Sequence, residues 1–181
     1  MKTRKDKLIQ LFKKNKGILR FSQTLKAGFL RKHLKTLLDA GTIKRISRGF
    51  YKLTGSPELS NPDLVTVALK APKGVICLIS ALSYHHATDE VPHSIYVAIP
   101  RGLRANKIDY PPVQYFRYGP KVWEHGIETS IIDGYPVRIY SLARTIADCF
   151  QYRNKIGLDV AREAIKIAVT EKKVSPIEIM R

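Results

Sequence analysis

The stretch SQTLKAGFLRKHLKTLLDAGTIKRISRGFYKL, residues 22–53, decides how the chain folds. Ser22 is placed to cap a short helix whose inward residue is Leu25, and Gly28 follows as the residue able to take the positive φ of a tight inter-helix turn. From residue 30 to 40, Leu30, Leu34, Leu37 and Leu38 fall at i, i+4, i+7 and i+8, which is one apolar stripe on a helix. Lys32, Lys35, Thr36 and Asp39 point the other way, flanked by Arg31. After Gly41 the pattern changes to β-branched and aromatic residues, in two runs at 42–47 and 50–53 joined by Arg48-Gly49, which reads as a β-hairpin.

Upstream, Leu8, Ile9, Leu11 and Phe12 recur at helical spacing among lysines between Thr3 and Asn15, and Gly17 supplies a stop. Helix, short helix, glycine turn and a third helix with a basic outer face are the parts of a helix-turn-helix, and a basic-tipped hairpin after it makes a winged helix. In that geometry Arg31, Lys32, Lys35 and Thr36 on the third helix face base edges or phosphates. Lys44, Arg45, Ser47, Arg48 and Lys52 on the hairpin reach phosphates or the minor groove.

The charge of the chain supports this placement. Sixteen of the first 52 residues are Lys or Arg against two acidic residues, Asp6 and Asp39, so this segment carries +14 of the formal +17. A basic excess so confined is the footprint of a surface that meets a polyanion. Two other readings share part of this signal. Lysines can merely solvate an amphipathic helical hairpin. An RNA- or ribosome-associated module shares the electrostatics but calls for exposed stacking aromatics, for which only Phe50 and Tyr51 on the hairpin qualify.

Residues 54–62, rich in turn formers, read as a linker between a winged helix over 1–53 and a second domain over 63–181. Asn61 as cap and Pro62 at the first helical position open a helix through Lys70, closed by Pro72 and Gly74. A second helical stretch follows from about Leu78 to Ala87. Strand-like runs cover 94–99, 113–118, 129–132 and 135–140, the last two joined by an Asp133-Gly134 turn, and predict an antiparallel sheet. Ser141 caps a helix to about Tyr152 with Arg144 and Asp148 as an i,i+4 pair, and Ala161, Ala164, Ile165, Ala168 and Val169 give the next helix its inward stripe. The expected fold class is α+β: a winged helix-turn-helix followed by a mixed α+β domain with an antiparallel sheet.

Nothing in this second domain has the spacing of a catalytic or metal centre. His85, His86, Asp89, Glu90 and His93 crowd nine residues, but adjacent histidines on a helix point about 100° apart and no HxxxH or HExxH is present. No GxSxG elbow, phosphate-cradling glycine loop or nuclease-like carboxylate spacing is found. Cys77 and Cys149 sit in apolar runs and read as reduced core residues. Neither an enzyme nor a cofactor or metal requirement is expected. The absence of an apolar leader or a span of ~18 apolar residues predicts a cytoplasmic protein without a membrane partner. With no leucine heptad or other dimer signature, a monomer in solution is expected.

The chain resembles the AbiEi family, the antitoxins of type IV, abortive-infection toxin–antitoxin systems. The resemblance is carried by Phe21-Ser22 to Gly28, by Ile46-Ser-Arg-Gly-Phe-Tyr51, by Val75-Ile-Cys-Leu-Ile-Ser-Ala-Leu82, by Ile99-Pro-Arg-Gly102 and by Tyr140-Ser-Leu-Ala-Arg-Thr-Ile-Ala-Asp148, in this order along the chain. It implies a DNA-binding antitoxin and autorepressor that occupies inverted repeats in its own promoter and serves in phage defence. It also implies a second domain that counteracts a nucleotidyltransferase-like toxin without a stable complex. A general winged-helix regulator without antitoxin activity is the alternative. Leu30 stands where such recognition helices often carry a polar cap. The sequence stops at Pro176-Ile-Glu-Ile-Met-Arg181, where members resembling it continue with more helix, so the second domain reads as shortened.

Overall fold

The computed structural model describes residues 3–171 and 174–180. They form two compact units, residues 1–59 and 60–181.

Unit 1 opens with helix α1, Arg4–Lys14, whose first turn is closed reciprocally: the Asp6 N–H donates to Thr3 Oγ1 at 3.2 Å and the Thr3 N–H to Asp6 Oδ2 at 3.0 Å. Asp6 thus satisfies end groups where a negative charge also suits the helix dipole. Strand β1, Ile18–Arg20, leads directly into α2, Phe21–Lys26, and then α3, Arg31–Asp39. Strands β2, Ile43–Ser47, and β3, Phe50–Leu53, make the hairpin, and β1 pairs antiparallel with β3 to give the order β1-β3-β2. The element order is helix, strand, helix, helix, strand, strand, with α2 and α3 joined by a tight turn as in a helix-turn-helix. Leu8 and Phe12 of α1, Leu19 of β1, Phe29, Leu34 and Leu37 of α3, and Ile43 of β2 form one buried cluster. Each such side chain contributes about 1.5–3 kcal/mol relative to exposure.

Strand β1 is the element of unit 1 that periodicity does not reveal, because three residues are too few to alternate visibly. Its presence moves the start of α2. The helix begins at Phe21 with Arg20 as cap, and Ser22, expected as the cap, lies inside it and exposed. The capping function passes to Gln23, whose Oε1 accepts the Arg20 N–H at 2.8 Å.

Unit 2 is built on a five-stranded sheet. Helix α4, Pro62–Lys70, precedes the short strand β4, Val75–Ile76, and helix α5, Leu78–Tyr84. Strands β5, Ile95–Pro100, and β6, Val113–Tyr118, are followed by helix α6, Pro120–Glu124, and the hairpin β7, Ile127–Ile132, and β8, Tyr135–Tyr140. Helices α7, Leu142–Gln151, α8, Arg153–Ile156, α9, Leu158–Thr170, and α10, Pro176–Met180, complete it. The α+β class holds. The sheet order is β6-β5-β4-β8-β7, and the expectation of antiparallel pairing is met at β4–β5 and β7–β8, whereas β4–β8 and β5–β6 are parallel. Strand β4, which the sequence pattern does not reveal, inserts two residues of the run 75–82 at the centre of the sheet, antiparallel to β5 and parallel to β8, while β5 and β6 are parallel because the connection 101–112 crosses back before β6 begins.

The sheet is covered on both faces. Val75, Ala98, Phe116 and Tyr140 belong to the cluster formed with Leu78, Leu82, Ile146, Cys149, Ala161 and Ala164 of α5, α7 and α9. Alternation sends the buried Ile76, Val97 and Ile139 to the other face, where α4 packs on β5 and β8. At the β7–β8 turn Asp133 and Gly134 both take positive φ, 50° and 84°, as a two-residue hairpin of this kind demands. Asp133 Oδ2 also accepts the Ser60 N–H at 2.8 Å. Asn61 caps α4 by backbone only, with no side-chain cap bond, and Pro62 occupies the first turn. Among the described residues no helix is long and apolar enough to cross a membrane.

A charged pair lies within the main core. Ser141 Oγ accepts the Arg144 N–H at 3.4 Å and starts α7, and Arg144 Nε lies 3.0 Å from Asp148 Oδ1 one turn on. Asp148 is only 2% exposed, and the Arg144 guanidinium carbon sits 5.3 Å from the Tyr140 ring centroid and 5.7 Å from that of Tyr118. Burial pushes the Asp148 carboxyl above the ordinary carboxylate range, against the opposing pull of Arg144. Burial likewise raises the Cys77 and Cys149 thiols, so both cysteines stay protonated and unreactive at neutral pH.

Removing the guanidinium leaves a buried uncompensated charge, so Arg144→Ala is expected to destabilise unit 2 by about 3–5 kcal/mol in urea unfolding. A raised native pKa means that the folded state binds the proton more tightly than the unfolded chain. This carboxyl therefore lowers stability as pH rises from its ordinary range to the elevated native value. Asp148→Asn removes that component, and unfolding midpoints followed between about pH 4 and 7 should fall less steeply than in the wild type; identical slopes refute the assignment.

Candidate nucleic-acid interface

Two backbone bonds build the turn between α2 and α3. The Phe29 N–H donates to Thr24 O and the Gly28 N–H to Leu25 O, each at 2.9 Å, which is a Schellman closure of α2. Gly28 sits at the position that needs positive φ and has 81°, while a Cβ there would meet nothing within 4 Å, so conformation rather than space demands glycine. Phe29 then drops into the core and the chain runs extended through Leu30, the N-cap of α3.

Leucine has no side-chain acceptor to offer an open helix end. His33 supplies the missing half of the cap by accepting the Leu30 N–H on Nδ1 at 2.9 Å. A backbone amide can only donate, so the neutral His33 ring carries its proton on Nε2. The ring is held edge-to-face against Phe29, with centroids 6.1 Å apart. The first turn of α3 contains no acidic residue and carries Arg31 and Lys32 at the positive end of the helix dipole. That arrangement disfavours the free protein and favours an anion placed there.

Arg31, Lys32, Lys35 and Thr36 are all exposed on α3, opposite the buried Leu34 and Leu37. Thr36 Oγ1 donates to Lys32 O at 3.0 Å and keeps its lone pairs free. On the hairpin, Lys44, Arg45 and Arg48 are exposed, and Gly49, at φ 79°, lets the two-residue tip turn. Arg45 Nε donates to Ser47 O at 3.3 Å, which steadies the β-bulge between Arg45 and Ser47. Ser47 itself is half-buried. None of Arg31, Lys32, Lys35, Lys44, Arg45 and Arg48 has a carboxylate partner among the described residues.

Three residues stand differently from their sequence reading. Lys52, expected on the phosphate-contacting wing, is 6% exposed on the central strand β3, between its cross-strand partners Ile18 and Lys44, so its stem is covered and it is not a wing contact. Leu25, expected to point inward, is 45% exposed, and the buried residue of α2 is Thr24, whose hydroxyl donates to Phe21 O at 2.7 Å. Leu30, expected in the apolar stripe, is 52% exposed. The shift of α2 by β1 explains Leu25, and the Gly28 turn, which ends before Leu30, explains the other. Of the two aromatics able to stack on single-stranded bases, Phe50 is withdrawn, 8% exposed beneath Arg20 at 5.0 Å from guanidinium carbon to ring centroid, and Tyr51 is half-buried against the core.

Residues 6–54 match the family described as "Transcriptional regulator, AbiEi antitoxin". The likeness is confined to these residues, well under half of the chain. The match covers α1 to β3 and ends inside unit 1, so the AbiEi assignment rests on the elements that carry the basic surface. An AbiEi regulator acts on transcription, and the exposed cations of α3 and the hairpin tip are the groups in this domain suited to meet DNA. No curated protein matches the chain.

The half-cap by His33 carries a stability test. His33→Ala leaves the Leu30 N–H without its side-chain acceptor and should cost unit 1 about 1 kcal/mol, while His33→Gln, which restores an acceptor at the same position, recovers most of it. Equal destabilisation by both variants in thermal unfolding refutes the capping role.

Proposed function

We propose that the chain is a DNA-binding antitoxin and transcriptional autorepressor of a type IV toxin–antitoxin operon. Helix α3 enters the major groove of inverted repeats in the operon's own promoter, with the β2–β3 hairpin against the flanking backbone, and repression follows from occlusion of the promoter. The observation that carries this reading is the coincidence, within residues 6–54, of the AbiEi regulator match with the exposed cations on α3 and the hairpin tip, which have no carboxylate partner among the described residues. Double-stranded DNA is favoured over single-stranded RNA because Phe50 is covered and Tyr51 is half-buried against the core, which leaves no pair of free rings for stacking on the hairpin.

Unit 2 counteracts a nucleotidyltransferase-like toxin without a stable antitoxin–toxin complex, and it does so as a binding rather than a catalytic domain. Among the described residues no three His, Cys, Asp or Glu side chains gather as metal ligands, and His85 is committed to the Tyr140 carbonyl, 2.8 Å from its Nε2. The protein acts in the cytoplasm and is a monomer in solution, so inverted repeats are filled by two copies placed side by side.

Titration against the operon's own promoter and a shuffled duplex of equal length tests the reading. The promoter should bind about 10³-fold or more tightly, and with six or so phosphates neutralised the affinity should fall with a log–log salt slope of about −5. Equal binding to both duplexes, or a slope near zero, overturns it. Arg48→Ala should weaken promoter and shuffled DNA alike, as expected of a backbone contact, whereas Lys35→Ala should relax the preference between them.

A further inference from the structure

We infer that Leu25 and Leu30 form an apolar reading surface for the C5-methyl groups of thymine in the major groove. This rests on the placement of α3 in duplex DNA proposed above.

Their exposure is unusual for two reasons. Both flank the Gly28 turn, Leu25 near the end of α2 and Leu30 at the start of α3, and the start of the second helix is the part of a helix-turn-helix that contacts base edges. Leu30 also occupies an N-cap, where leucine is among the poorest residues and Ser, Asp or Asn would serve the helix better. The structure compensates the backbone through His33 but leaves the side chain itself half in water. A residue that serves its own helix end poorly and is only half covered in the free protein is available for contact in a complex.

The surroundings of the pair identify the partner. Lys26, Arg31, Lys32 and Lys35 are exposed close by in the chain, and no acidic residue intervenes between Asp6 and Asp39. An apolar protein or lipid surface does not match an apolar spot set in a field of unpaired cations. Duplex DNA does, because phosphates meet the cations while the thymine methyl is the one strongly apolar group that a base pair presents in the major groove. The pair therefore discriminates by shape and burial, in distinction to the hydrogen-bonding cations, and it favours sites with thymine opposite the α2–α3 turn.

The test uses the full chain and the promoter duplex prepared in two forms, with thymidine or with deoxyuridine in every thymidine position, which removes only the methyl. The wild type is expected to bind the deoxyuridine duplex about three- to tenfold more weakly, as for the loss of one or two buried methyl groups. Leu30→Ser, which supplies a true cap, should fold at least as stably as the wild type and bind the two duplexes with nearly equal affinity. Leu25→Ala should show a reduced difference in the same direction. Wild-type binding that is equal for the two forms overturns the inference while the DNA-binding reading stands, and so does a difference that survives intact in Leu30→Ser. Failure of the wild type to bind either form strikes the proposed function itself and takes the leucine reading down with it. If the two duplexes bind equally and Leu30→Ser alters the mass of the protein in sedimentation, the pair is a protein contact instead.

Discussion

The closure of α2 by Phe29 N–H to Thr24 O and Gly28 N–H to Leu25 O is the constraint from which the rest of unit 1 follows. It sets the angle at which the chain leaves α2, and so decides which side of α3 faces Phe12 and Leu19. With Leu34 and Leu37 turned inward, the 3.6-residue period leaves Arg31, Lys32, Lys35 and Thr36 outward. The hairpin then closes on the same helix: α3 ends in a second glycine turn at Gly41, whose carbonyl accepts the Thr54 hydroxyl at 2.7 Å, fixing the far end of β3 to the start of β2. Recognition surface and core are two consequences of one turn.

Unit 2 depends on a different kind of constraint. Asp148 is carried into an apolar core on a helix whose first turn is set by Ser141, and Arg144 follows it there because the i,i+4 spacing leaves no other arrangement. The surrounding rings meet edge to face, Tyr118 with Tyr140 at 6.0 Å and with Tyr152 at 5.6 Å, while the Tyr140 hydroxyl donates to Trp123 O at 2.8 Å. A buried pair of this kind adds little net stability over an apolar replacement. What it does impose is register: α7 cannot rotate or slide on the sheet without separating the pair or stranding a charge.

The long amphipathic and alternating segments were legible in the sequence. Helix α3, the hairpin, β6, β8, the Asp133-Gly134 turn and the Arg144–Asp148 pair each announce themselves through a period, a turn dipeptide or a spacing. The short strands β1 and β4 do not, since two or three residues cannot display alternation, and both have consequences out of proportion to their length. Without β1, the cap of α2 falls on Ser22 and Leu25 reads as inward. Without β4, its parallel pairing with β8 stays hidden. The candidate site was legible in its charges and not in its apolar members, because a leucine at helical spacing reads as core unless the turn before it is known. Lys52 fails for the complementary reason: a lysine in a basic hairpin reads as exposed until the third strand is seen to flank it.

The free protein holds the basic face of α3 in an electrostatically unfavourable state. Arg31 and Lys32 crowd the positive end of the α3 dipole, no carboxylate among the described residues neutralises them, and the whole segment up to residue 52 carries +14. Self-repulsion of this kind lowers the stability of unit 1, and the small core beneath it must offset the loss. A phosphate backbone relieves the repulsion and the unfavourable dipole contact together, so binding and folding of this unit are linked with the same sign. Salt acts on the two in opposite directions: it screens the repulsion and stabilises the free domain, while it removes the counterion-release advantage of the complex. Concentrated positive charge thus couples the stability of the unit to any anion that binds this face.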